Sequence, residues 1–468
     1  MAIVDRSANF KKTLKTIYET EVVKNRYQNS VTLESIKKSR WNGGEVIEYL
    51  AQTGNGGNYG AQYDTLVDNP SSGAQYDKWQ MTQGYATGWF KVDQPDNLMS
   101  AYKDGAFLRK VSGEMASTFD GISKTIGGAY LFGGKHGALG KVITAPASAV
   151  AASGNVMTVQ HSARVKMGKG LRFQIMSGEV PNESNIGTAV YTVTSINGDE
   201  ITFSASVAGE TIAAGDTLIL YTAYLSTAAA GSKFLGMEGL PELIPCYGDR
   251  DSAAWETYIA TNFRGVDRSA DVEMLAGQFV KADATGDTRY ADALFELLGK
   301  TMDAGGRNNR QVISTKTWAE IGKQLGVSGN LWQAFDNSAA SKTGVTIGMN
   351  NLATAFGDSF IGRTTRDVQC PDDVAYQFEM DDLEYVDLGN IDPIINGTSQ
   401  GQVGLASIEQ TGDQGFGETI APKINENKLF NVEFGAKGTY GPAVIVSCNA
   451  FGNFRLKKTG SAGVAKLD

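Results

Sequence analysis

Between Asn97 and Phe132 the apolar residues Leu98, Tyr102, Leu108, Val111, Met115, Phe119, Ile122, Ile126 and Tyr130 form one stripe. From Leu108 onward they are spaced 3, 4, 4, 3, 4 and 4 apart, the rhythm of an amphipathic helix. Pro95 marks the turn before it, and Asp96 or Asn97 can accept from the first free N–H groups. Gly127, Gly128, Gly133 and Gly134 supply a stop. Such a helix is about 50 Å long, well beyond the usual three turns. Gly105, Gly113 and Gly121 each cost it up to about 1 kcal/mol against alanine. Packing along the stripe has to hold it.

Ahead of this helix, Phe10, Leu14, Ile17 and Val22 give residues 1–50 a weaker helical pattern with Lys and Arg between them. Nine basic against six acidic residues leave that stretch at +3. It reads either as a solvated helix face or as an arm, with Lys11, Lys12 and Lys15, that lies on a neighbouring subunit. Gly54–Gly60 is a flexible loop. Two extended runs follow, 61–68 and 74–93, separated by a Pro/Ser/Gly turn, and together they read as a protruding hairpin. Trp79, Met81, Tyr85 and Trp89 all occupy odd positions, which predicts one aromatic face. That face needs cover, either from its own domain or from another chain.

Beyond the helix the pattern changes to short strands at 156–160, 171–176, 189–196, 200–205 and 217–225. Asn197-Gly198 between two of them is a tight-hairpin signal. This predicts an all-β, barrel-like insertion, with residues 227–231 as the return linker. The remainder mixes helices (290–302, 318–325 behind a Thr317/Glu320 capping box) with strands (311–314, 374–380, 383–388, 430–434, 443–448). From Lys457 the chain is polar and reads as a frayed end. The expected fold class is α+β. Its parts are an arm (1–60), an extended hairpin (61–95), a long helix (96–137), an inserted β domain (138–232) and an α/β remainder (233–468).

Composition narrows the chemistry. A net charge of −9 over 468 residues argues against a dedicated nucleic-acid binder. Cys246, Cys370 and Cys448 are far apart and odd in number, which predicts free thiols in a reducing compartment. No run of 18 apolar residues occurs, so the expectation is a soluble chain made in the cytoplasm, without a membrane segment. With only His136 and His161, neither histidine catalysis nor a His/Cys zinc site has its material. Gly397–Gly401 matches the G-x-S-x-G elbow around Ser399, but both histidines lie upstream and no helix opens there. Gly133–His136 lacks the earlier glycine and the following Ser/Thr of a phosphate loop. Asp372, Asp373, Asp381, Asp382, Glu384 and Asp387 form an acidic cluster without the spacing of a calcium loop. No catalytic residue, cofactor or metal is expected.

The order of parts is more telling than any single motif. Gly88–Asp93 (GWFKVD) entering the long helix, Gly236–Pro245 (GMEGLPELIP) after the insertion, and Arg310–Leu325 as strand then capped helix are together similar to the major capsid proteins of tailed bacteriophages. Herpesvirus capsid floors and encapsulins share that Hong Kong 97-like fold. The inserted β domain resembles in placement the extra domain of some of these capsids. No Lys–Asn cross-linking pair can be matched, so covalent cross-linking is not carried over.

The resemblance implies a structural, non-enzymatic protein. Copies would form hexamers and pentamers of an icosahedral head, assembled in the host cytoplasm around double-stranded DNA held weakly. It also implies a portal protein, and scaffolding or decoration proteins, as partners. Trp79, Tyr85, Trp89, Lys11, Lys12 and Lys15 are then the candidate subunit contacts. An encapsulin-like compartment is the alternative, and a hydrolase using Ser399 a more distant one.

Overall fold

The computed structural model describes residues 30–40, 46–54, 75–93, 117–118, 120–177, 186–187, 189–221, 224–227, 231–247, 250, 252–283, 289–306, 310–327, 363–387, 431–434 and 443–467. Lys11, Lys12, Lys15, Ser399 and the first half of the long helix lie outside them.

Sheet pairing centres on one 14-residue strand, Ala443–Leu456. Gly84–Asp93 pairs antiparallel with it from 443 to 452, Asn431–Phe434 from 446 to 449, and Leu383–Asp387 from 452 to 456. Lys37–Arg40 extends this sheet in parallel beside Leu383–Asp387. A second sheet runs Gln278–Lys281, Gly463–Lys466, Val374–Phe378, Arg310–Ile313, Arg363–Arg366. Helix Arg289–Asp303 covers it, burying Leu294 and Leu297 on Val280, Ala375 and Ala465. Its companion helix is Thr315–Val327.

The polar end predicted after Lys457 is corrected here. Gly463–Lys466 is an inner strand of the second sheet, parallel to Gln278–Lys281 and antiparallel to Val374–Phe378. A Cβ on Gly463 would press on Leu297 and Thr301, so the small residue lets the helix lie directly on the strand. The cap of helix Thr315–Val327 also moves: Ser314 Oγ accepts the N–H of Thr317 at 3.0 Å, while Thr317 donates its hydroxyl to the carbonyl of Asp372.

The long helix is described only over its second half. Residues 120–124 are α-helical, and Thr125–Tyr130 widens into a π-helix. Ile122, Ile126 and Tyr130 of the predicted stripe are buried. Gly127 and Gly128 do not stop the helix. They sit inside the π turn, where a Cβ would crowd Ser30 and the Gln369 amide. The chain turns at 131–137, with Gly134 and Gly137 at φ of 71° and 62°.

Six strands then close a barrel in the order Thr217–Leu220, Ala138–Thr144, Asn155–Val159, Glu200–Ala205, Tyr191–Asn197, Arg172–Met176. Phe173, Tyr191 and Phe203 fill it, with ring centroids 5.3 to 6.0 Å apart. The tight hairpin occurs as expected, with Gly198 at φ 61° between paired Asn197 and Glu200. The return is not a linker, because Tyr224–Thr227 and Gly231–Phe234 pair as a hairpin of their own.

Gly236–Pro245 then lies against the end of the helix. Leu240 N–H donates to the carbonyl of Leu131, and Tyr85 N–H to that of Leu235. Any side chain at Gly239 would overlap the carbonyl oxygens of Tyr130 and Leu131, and one at Gly236 the Tyr130 ring. Gly121, by contrast, faces open space. Thermal or denaturant unfolding should therefore separate two alanine variants. Gly239→Ala should lose about 3 kcal/mol or more through backbone overlap. Gly121→Ala should gain up to about 1 kcal/mol of helix propensity.

Candidate functional site

The hairpin is present, but with a different first strand. Val46–Gly54 pairs antiparallel with Gln75–Thr82, from Val46 opposite Thr82 to Gly54 opposite Gln75. The run 61–68 lies outside the described residues. Gly84–Asp93 belongs to the main sheet, not to this ribbon. Residues 46–54, expected in the arm, are thus one half of the ribbon.

The two faces of the ribbon differ sharply. Inward, Tyr49 stacks on Trp79 with centroids 6.2 Å apart, and Trp79 meets Phe263 edge-on at 6.1 Å. Val266 and Leu275 complete that pocket, while Met81 packs on Val386. Outward, Leu50 is 68% exposed and Tyr76 57% exposed, both next to Lys78 at one end of a Glu48–Lys78 ion pair of 2.6 Å. Lys78 and Gln80 both hydrogen-bond Glu48, and this lowers its carboxyl pKa below the ordinary value.

Trp79 is thereby corrected as a contact candidate. At 3% exposure it belongs to the chain's own core. The single aromatic face also fails, because Gln83 separates two strands with different partners and resets the alternation. Met81, Gly84 and Ala86 point inward, and Tyr85 is left 40% exposed on the opposite side, edge-on to Phe451 at 5.5 Å. The backbone of Trp89 pairs with Ser447 in the main sheet.

What fastens the ribbon is a polar knot at its root. Phe263 and Val266 exchange backbone hydrogen bonds around Arg264-Gly265, with φ of 53° and 86°. That is a two-residue turn with both central residues left-handed, which Asn-Gly ordinarily supplies. Arginine holds the strained position because its side chain is bound three ways. Nε donates to Glu238 Oε2 at 2.7 Å, Nη1 to the Tyr49 hydroxyl at 3.2 Å, and Nη2 to the Phe454 carbonyl at 2.7 Å. The carbonyl of Arg264 accepts the N–H of Gln80. Burial opposes the guanidinium charge, but Glu238 and Tyr49 outweigh it and raise its pKa above the ordinary arginine value.

Asn453 completes the knot, accepting from Glu238 N–H at 2.8 Å and donating to the Thr82 carbonyl at 2.9 Å. Neither Arg264 nor Asn453 stood out in the sequence. Glycine after Arg264 was the one local sign of a turn.

The acidic cluster is not a cation site. Asp373 pairs with Lys141 at 2.7 Å, Asp372 accepts the His161 N–H, Asp382 faces Lys458, and Glu384 is held by Arg455, Lys457 and Lys37. Among the described residues no group of three or more acidic, His or Cys side chains could hold a metal. None of the described helices is long and apolar enough to cross a membrane.

No family model and no curated protein matches this chain. Solved structures resemble it over nearly its whole length at low identity. One described as the cyanophage A-1(L) capsid asymmetric unit is 12% identical, covers 96% of this chain and 97% of its own, and has a TM-score of 0.48. A mycobacterium phage Bobi structure is 9% identical, with 100% and 99% covered and a TM-score of 0.43. The capsid of Myoviridae phage XM1 gives 8%, 100% and 99%, and 0.41.

Denaturant unfolding of isolated subunits should place Trp79 and Arg264 among the most costly positions. Trp79→Ala should lose about 3–5 kcal/mol, as for a deleted core aromatic. Arg264→Met, which strands Glu238, should lose a similar ~3–5 kcal/mol. Arg264→Lys should recover little, because one ammonium cannot span three acceptors.

Proposed function

We propose that this chain is the major capsid protein of a tailed bacteriophage, a structural protein with no catalytic role. The observation that carries this reading is the path of the chain. A rooted ribbon leads through a sheet strand and the helix ending at Tyr130 into a closed barrel. The chain then returns as Gly236–Pro245 pressed against that helix end. This is the order of parts that the sequence shares with those capsid proteins.

In this reading copies associate into hexamers and pentamers of an icosahedral shell in the virion, assembled in the host cytoplasm. The ribbon's outer face, with Leu50 and Tyr76, and Tyr85 beside it are contact surfaces. The basic arm with Lys11, Lys12 and Lys15, and Trp89, are the remaining contact candidates. Packaged double-stranded DNA is held weakly, since a chain of net charge −9 neutralises few phosphates. A portal protein, and scaffolding or decoration proteins, are the further partners.

Negative-stain microscopy of the purified protein tests this directly. Shells or capsomers are expected, with Leu50→Asp/Tyr76→Ser blocking them while subunit stability stays within about 0.5 kcal/mol. A wild-type chain that remains monomeric at high concentration, with or without a scaffold, would sink the reading. A double variant that assembles normally would remove the ribbon's outer face as a contact. Particles filled with protein cargo instead of nucleic acid would reassign the shell to an encapsulin-like compartment.

A further inference from the structure

We draw no further inference here: the strongest candidate, the groove of about 540 Å³ between the ribbon and residues 271–278 with exposed Leu50 and Met274 in its lining, carries nothing because nothing in the structure shows what covers it.

Discussion

The Arg264–Glu238 ion pair is buried where four distant stretches of chain meet: the ribbon at Tyr49 and Gln80, the turn 263–266, the return segment at Glu238, and the long strand at Phe454. A two-stranded ribbon has no core of its own and is marginal in isolation. Its inner face gains Trp79 burial only if the root holds it at the right angle to Phe263 and Leu275. A buried pair adds little net stability over a well-packed apolar substitute. What it adds here is direction. Three donors in a planar fork accept one arrangement of acceptors, and those acceptors lie on three separate elements. Arg264 tolerates a left-handed backbone because losing those bonds would cost more than the strain relieves.

Close backbone approach does for the centre of the molecule what the ion pair does for the ribbon. Gly236 and Gly239 let the return segment touch the carbonyls at the helix end, so the helix and the chain leaving the barrel share one orientation. The barrel core then continues without a break into Tyr130, Phe132 and Tyr376 beneath it. The barrel is therefore seated on the main fold by packing as well as by the Lys141–Asp373 and His161–Asp372 contacts.

Much of this was legible from periodicity. The described half of the helix stripe, five of the six barrel strands and the hairpin at Gly198 lie where spacing and turn signals placed them, while the barrel strand Ala138–Thr144 carried no such signal. The misplaced ribbon strand has a physical cause. Val46–Gly54 carries Ile47 and Tyr49 inward and Val46 and Leu50 outward, so both faces are apolar and no alternation appears. The residues that spoil the pattern, Val46 and Leu50, are exposed. Gly463–Lys466 was hidden for the opposite reason. It is packed so tightly that it carries glycine and alanine where a strand usually announces itself with bulk. The Arg264 knot has no periodic signature, since its members are hundreds of residues apart in some cases and meet only in the fold.

Rigidity at the root bears on the proposed assembly through entropy. Each side chain or loop ordered on association costs about 0.5–1.5 kcal/mol, which a small contact patch struggles to offset. A ribbon already fixed by Arg264, Asn453 and the Trp79 pocket has little left to lose when its outer face meets a neighbour. In a closed symmetric lattice every copy makes the same modest contact, and those contacts act together. Individual contacts can then stay weak enough to dissociate and correct while the closed shell is held firmly. Two exposed apolar residues beside a solvent-screened ion pair suit that regime better than a large dry patch would. A large patch would bind irreversibly before the lattice had closed.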